Sequence, residues 1–329
     1  MSAAGAGGPG PHVLVLGAGS IGARHARNLA AAGARVSVTD PDADRAATAA
    51  AEAGPAARAI AFDLDHLDAA GALDGAVVAS PTVHHPDQVD ALLAAVPRIL
   101  VEKPLATDGA TAARFAPHAD RVAVAYNLRF HAPVARLAEV VAGGSLGEVS
   151  AIRLWFGSWL PDWRPGVDHR QTYSAQRALG GGVLLDAIHE LDLLVWLCGP
   201  GPHRVRGAVV DELGPLGLDV EDTVRALIDL DGGGVAEVAL DYLARRYRRG
   251  VEVTGSEATA RLDWARQVVE VEDAGGVRAE AATTPVAASY ERQADAFVGW
   301  ITGGAPLPVD AATGAASVVL ADAIREAAR

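Results

Sequence analysis

Six residues near the start of the chain limit its fold more than any others: Gly17–Gly22, reading GAGSIG. They follow the apolar run His12–Leu16 and open an alanine-rich helical segment, 20–32, that stops at Gly33. A pyrophosphate-binding turn demands that order. Gly17 turns the chain, Gly19 lets backbone approach an anion, Gly22 lets helix pack on strand, and Ser20 and Ile21 start the helix beside the ligand. In a chain this rich in alanine and glycine the motif alone is weak. Here a second run, Arg35–Thr39, ends on Asp40, 23 residues past Gly17. A carboxylate at that place bonds a ribose 2′-hydroxyl and repels a 2′-phosphate, so the pattern predicts a dinucleotide site with NAD favoured over NADP. Arg45, on the following helix, is expected to face solvent.

The next eighty residues continue the alternation. Strands are expected at 57–61, 75–79, 98–101 and 121–125, with helices at 83–95 and 108–118. Such alternation implies a parallel sheet covered on both faces, with ligands collecting at strand ends. Two such ends carry chemistry. Ser80, Pro81 and Thr82 follow one strand, and His84 and His85 begin the next helix. Adjacent helical histidines point about 100° apart, which argues against a two-histidine metal site, and no metal is expected. The pair reads first as polarity at a helix start, with His85 the one placed to line the cofactor cleft. At the other end stand Glu102, Lys103 and Pro104; a lysine there points into the cleft, and its X-Pro bond admits a cis form.

A third stretch, Gly180–Asp192, reads GGGVLLDAIHELD. At helical spacing Leu184, Ile188, Leu191 and Val195 form one apolar stripe. Asp186 and His189 sit on the opposite face, about 60° apart. Asp186 falls in the first turn, where the helix dipole favours a carboxylate, and it is placed to orient the imidazole one turn on. Taken alone, the pair fits a helix-start acid and a satisfied core histidine better than a catalytic pair.

Together GAGSIG, EKPLA (Glu102–Ala106), AYNLRFH (Ala125–His131) and GGGVLLDAIHELD, in that order, resemble the glucose–fructose oxidoreductase/inositol dehydrogenase/rhizopine-catabolism family of NAD(P)-dependent oxidoreductases. The resemblance implies an α/β chain: an N-terminal Rossmann fold, then an α+β domain built on a large, mostly antiparallel open sheet. It places Lys103, Asp186 and His189 around the reacting carbinol, Asn127 beside the cofactor and Arg129 at the substrate. The commoner family spacing is Asp-x-x-x-His; here it is Asp186-x-x-His189, which resembles members tied to surface-polysaccharide sugars and puts the acid/base role on His189. In the resembled family a second subunit covers the bare face of the sheet, so a homodimer or homotetramer is expected.

Past residue 147 the expected strands alternate and are joined by glycine turns: 148–156, 204–210, 222–229, 234–240, 248–255 and 258–264. Two helices, 289–300 and 310–328, close the chain. The expected organisation is a tail at 1–10, a dinucleotide domain at 11–126 and a substrate and oligomerisation domain at 127–329. In the loop 159–177, Trp159, Trp163 and Tyr173 stand among Arg164 and other charges, a mixture that suits the apolar faces and hydroxyls of a sugar. Arg245, Arg246, Arg248 and Arg249 surround Tyr247; they fit either a phosphate or carboxylate site or a charged edge that protects a strand.

The net charge of −13 argues against nucleic acid or an anionic membrane as partner, but a local arginine cluster still permits an anionic substrate. The lone cysteine, Cys198, excludes an internal disulfide and reads as a small buried hydrophobe. With neither a signal peptide nor a membrane span in the sequence, the cytoplasm is expected. The expected reaction is hydride transfer between NAD and a secondary alcohol or ketone of a sugar or cyclitol. Two other classes fit the motifs less closely: a glycosidase that oxidises its substrate transiently, and a dinucleotide-binding sensor without catalysis, against which Lys103, Asp186 and His189 all being present counts.

Overall fold

The computed structural model describes residues 10–201 and 203–328, and residues 1–9 of the expected tail lie outside them. The first layer is built by β1 (His12–Leu16), α1 (Ser20–Ala31), β2 (Arg35–Thr39), α2 (Ala43–Ala53), β3 (Ala57–Ala59), β4 (Gly75–Val78), α3 (His85–Ala95), β5 (Ile99–Val101), α4 (Gly109–Ala113) and β6 (Val122–Val124). All six strands are parallel, in the order β3-β2-β1-β4-β5-β6. Every residue of β1 is buried, as a strand covered on both faces must be. The strand order reverses at β1, between β2 and β4, and the crevice opened there receives the turns after β1 and β4. The helix expected over 108–118 is shorter: α4 ends at Ala113, and a separate 3₁₀ turn, Ala116–His118, carries Pro117, whose missing N–H cannot continue an α-helix.

After β6 the chain makes a 3₁₀ turn, Asn127–Phe130, and a helix absent from the sequence expectations, α5 (Ala132–Ala142), with Pro133 in its first turn. The second layer follows: β7 (Val149–Gly157), α6 (Val183–Asp186), α7 (His189–Cys198), β8 (Arg204–Asp211), β9 (Thr223–Asp229), β10 (Val235–Asp241), β11 (Arg248–Gly255), β12 (Ala258–Asp263), β13 (Val268–Asp273) and β14 (Gly276–Ala281). Its order is β14-β13-β12-β11-β7-β10-β9-β8, and all neighbours are antiparallel except β7 and β10. The last two strands were not anticipated. Every residue of β14 is exposed, so the chain there lacks the apolar alternation by which a strand is recognised.

One face of this sheet carries Ile152, Leu154, Val238, Leu240, Val251 and Val253 into a core shared with α5, α6 and α7. The other face bears charge. Glu270, Arg261, Glu252, Arg153 and Glu237 pair in register across five adjacent strands, a row of alternating sign. Helices α8 (Ala287–Ile301) and α9 (Ala311–Ala327) then return to the first layer. Phe297 and Trp300 enter the core with Val13, Val15 and Leu100, while α9 lies against α4, β6, α7 and β8. Burial pushes the Cys198 thiol up to about 11, away from nucleophilic use. Among the described residues no helix is long and apolar enough to cross a membrane.

Candidate active site

The glycine turn after β1 is shaped by three different demands. Gly17 has φ 94°, and a Cβ there would stand 2.7 Å from the Ala79 carbonyl oxygen. A Cβ on Gly22 would lie 1.8 Å from the carbonyl oxygen of Gly17, so α1 packs directly over its own entry. Around Gly19 there is open space within 4 Å. Gly19 is also the N-cap of α1, no side chain caps it, and no acid stands in the first turn. Main-chain N–H groups at Ser20, Ile21 and Gly22 thus have no partner among the described residues, and a dinucleotide pyrophosphate fits this cradle.

Asp40 closes one side. Its Oδ2 accepts the Ala18 N–H at 2.8 Å and its Oδ1 the Asp42 N–H at 2.9 Å, so the carboxylate ties the glycine turn to the end of β2. Arg45 is exposed, as expected, yet its guanidinium swings back to 3.7 Å from Asp40 Oδ1. On the turn after β4, Ser80 Oγ donates to Gln88 Oε1 at 2.7 Å, Pro81 is exposed and Thr82 is buried. His85 differs from its expected place in the cleft. Its ring is 1% exposed and lies between the Pro104 carbonyl, 2.8 Å from Nδ1, and the Ser80 carbonyl, 3.0 Å from Nε2. A buried imidazole must find a partner, and here it clamps the turns after β4 and β5 together.

Glu102 is similarly occupied: Oε1 lies 2.7 Å from His25 Nε2 on α1, and Oε2 accepts the Lys103 N–H at 3.2 Å. This links the helix of the glycine turn to the turn carrying Lys103, whose peptide bond to Pro104 is cis. Lys103 is the only lysine in the chain. Its Nζ donates to the Asp186 carbonyl at 2.9 Å and stands 3.7 Å from Asp186 Oδ1.

The stretch 180–192 is not one helix. α6 ends at Asp186, Ala187 departs to φ −93° and ψ 28°, and α7 begins at His189. The apolar stripe survives the break, with Leu184, Ile188, Leu191 and Val195 all buried. What changes is the acid. Asp186 does not orient His189; its Oδ1 accepts the Tyr173 hydroxyl at 2.5 Å and its Oδ2 the Tyr242 hydroxyl at 2.7 Å. A buried carboxylate takes the donors the fold brings to it, and two phenols beside an ammonium leave no place for the ring. Burial, and then the Asp186 charge, raise both phenols well above their ordinary range, so they remain donors.

Among the described residues no side chain bonds Nδ1 of His189, which is buried, and Tyr126 meets the ring edge-on at 5.7 Å between centroids. Burial first, then the charges of Arg249 and Lys103, hold this imidazole well below its ordinary pKa. It is neutral at pH 7 and able to accept a proton.

Two residues expected at ligands make bonds within the protein. Arg129, expected on the substrate, is buried and forks onto Asp192, with Nη2–Oδ1 at 2.7 Å and Nε–Oδ2 at 3.1 Å, and its guanidinium lies 4.9 Å over the Trp196 ring. Asn127, expected beside the cofactor, donates Nδ2 to Ser289 Oγ at 2.8 Å and joins α8 to the 127–130 turn. In the same turn as Asp192, Glu190 is forked by Arg249 at 2.5 and 2.9 Å. Two arginines from separate elements therefore grip the first turn of α7, with His189 beside them. Trp163 remains partly exposed; its Nε1 donates to Ser158 Oγ at 2.8 Å and its ring meets Tyr242 edge-on at 5.4 Å. Arg164 lies 5.6 Å over the Tyr173 ring. The loop 159–177 thus reaches Asp186 through both tyrosines.

Tyr242 escaped the sequence reading. The alternation Ala236, Val238, Leu240 places it on the core side of the strand end, where a phenol requires a partner; that was the available signal. Among the described residues no group of three or more His, Cys, Asp or Glu is placed to hold a metal ion.

Residues 12–130 match the model of an oxidoreductase family with an NAD-binding Rossmann fold, and residues 134–261 match the GFO/IDH/MocA C-terminal domain. The inositol 2-dehydrogenase of Leifsonia xyli subsp. xyli is 31% identical over 312 residues, covering 90% of this chain and 86% of that protein. The solved structure of GenD2 from gentamicin A biosynthesis, in complex with NAD, is 26% identical with a TM-score of 0.80 and covers 100% of this chain and 97% of its own. Levoglucosan dehydrogenase in complex with NADH and L-sorbose shares the fold, with a TM-score of 0.84 at 23% identity, covering 97% and 96%. With both halves matched, Lys103 bonded to Asp186 and Glu102 joined to the helix of the glycine turn, the chain belongs to the GFO/IDH/MocA family of oxidoreductases and carries its NAD-binding Rossmann fold.

Proposed function

We propose that the chain is an NAD-dependent dehydrogenase that moves a hydride between the cofactor and a secondary alcohol or ketone of a sugar or cyclitol. The observation that carries this reading is the placement of the only lysine. Lys103 stands at the carboxyl end of a central strand, bonded to the main chain of Asp186, with a neutral imidazole in the field of its charge. Gly17–Gly22 would hold NAD, which would supply the hydride acceptor. His189 takes the hydroxyl proton of the substrate as the carbinol is oxidised; its depressed pKa keeps the ring unprotonated beforehand, at some cost in basicity. Lys103 donates to the same oxygen and stabilises charge developing there. Asp186, with Tyr173 and Tyr242, holds Lys103 in place. Trp163 and Arg164 offer a ring face and a fork to the sugar. A relative named for inositol oxidation and a neighbour solved with L-sorbose support the substrate class. The lone thiol suits a reducing cytosol.

The test is NADH formation with a panel of cyclitols and free, phosphorylated and nucleotide-linked sugars, beside release of aglycone from glycosides. Net NADH from a cyclitol or sugar is expected. Aglycone release without NADH would mark a glycosidase, and NAD binding with no turnover on any of them a sensor.

Asp40→Ala is expected to weaken NAD binding by about 10- to 100-fold, the worth of a charged hydrogen bond, and to narrow the preference over NADP. Titration calorimetry with both dinucleotides measures this; tighter binding of NADP by the unaltered protein would contradict it.

A second copy of the chain is the expected cover for the charged face of the eight-stranded sheet. Arg153, paired in register with both Glu237 and Glu252, offers that face alternating charges which a twofold-related copy complements. Light scattering at micromolar concentration should show a dimer or tetramer, and a monomer would count against it.

A further inference from the structure

The run of arginines after β10 is divided by the strand it enters. Arg249 points inward to Glu190, whereas Arg245, Arg246 and Arg248 turn the other way and line a cleft of about 430 Å³ with Arg225 and Asp241. The cleft has a fixed floor. Asp241 is 4% exposed; its Oδ1 accepts the Leu243 and Ala244 N–H groups at 3.2 and 2.9 Å, and its Oδ2 accepts Arg248 Nη2 at 2.7 Å and Arg225 Nη2 at 3.2 Å. Arg225 Nη1 is pinned further by the Val224 and Leu240 carbonyls at 2.8 and 2.9 Å. The Arg245 guanidinium lies over the Trp159 ring, 3.5 Å from its centroid. Neither Arg245 nor Arg246 has a carboxylate partner among the described residues.

Four guanidiniums therefore line a cleft with one carboxylate, which two of them contact, in a chain whose net charge is −13. Fixed like charges repel, and an acidic protein has carboxylates to spare for neutralising them; here only Asp241 does so. Side chains already immobilised by a buried acid and an aromatic ring lose little further freedom when an anion arrives. Guanidinium forks match tetrahedral oxyanions, which accept two donors from one arginine. We infer that this cleft, at the rim of the second sheet and separate from the Lys103–His189 site, binds a phosphate-type anion: inorganic phosphate or the phosphoryl group of a larger ligand. Asp241 adjoins Tyr242, whose hydroxyl holds Asp186, so the occupied cleft sits one residue from the catalytic network.

The experiment is calorimetric titration of the full chain with inorganic phosphate, uridine diphosphate and uridine, with chloride as control. Variants Arg246→Glu and Arg245→Ala alter exposed side chains outside the catalytic machinery, and their unfolding midpoints establish that they fold. Binding of phosphate or of the diphosphate, weakened about 10- to 100-fold by Arg246→Glu while NAD affinity holds, supports the inference. Phosphate alone binding points to the free ion; the diphosphate alone binding points to a larger phosphorylated ligand. Three results would overturn it: no binding of either at millimolar concentration, equal binding by the variants and the parent, or variants that lower the oligomer mass while the parent binds no phosphate, which would make the cleft a subunit contact.

Discussion

Lys103→Met and His189→Ala are each expected to cut turnover sharply while leaving NAD affinity nearly intact. General base catalysis is worth about 10²–10⁴-fold, and His189 is the neutral imidazole in the site. Lys103→Met keeps length and loses charge, with an expected cost of about 10²–10³-fold if Nζ acts as an oxyanion donor. Lys103→Arg restores charge in a wider, planar group and should recover only part of it. The direction of the His189 shift fixes the pH behaviour. A lowered pKa means the base form persists below the ordinary imidazole value of about 6.5, so oxidation should hold at pH 6.5 and fail only on further acidification. That acid limb should disappear in His189→Ala. Steady-state kinetics at saturating NAD, beside NAD titration of each variant, decides the matter. Near-normal turnover in both would remove this site and leave the sensor reading standing.

Arg129→Met is expected to be costly for a different reason. Arg129 and Asp192 form a buried fork in which the Asp192 side chain has no exposed surface. Removing one partner strands a buried carboxylate, which typically costs about 3–5 kcal/mol. Burial already pushes the Asp192 carboxyl up, with Arg129 opposing it, so losing the arginine drives the acid to take a proton. Urea unfolding should show a lower midpoint, and Arg129→Met combined with Asp192→Leu should regain part of the loss. Were Arg129 a substrate contact, the single variant would instead raise KM with an unchanged midpoint.

Residues that act within a few positions of one another were legible from the sequence. GAGSIG needs only its flanking strand and helix to declare its geometry, and Gly17, Gly19 and Gly22 take the separate tasks that steric reasoning assigns them. The parallel sheet follows from alternating apolar runs, and the buried stripe through Leu184, Ile188 and Leu191 from helical spacing. Lys103 was recognisable by its place after a strand and before a proline.

Contacts between distant residues were not. Tyr242 lies 56 residues from Asp186, and Asp192 lies 63 from Arg129; both bonds join groups that local spacing treats as unrelated. Periodicity reports which face of an element is apolar, since that depends on neighbours three or four positions away. A buried polar side chain answers to a different rule: it must be satisfied by any donor or acceptor that packing delivers. The break at Ala187, the turning of Asp186 from His189 to two tyrosines, and the division of the arginine run between Glu190 and the outer cleft all follow from that rule, and only the folded chain decides them.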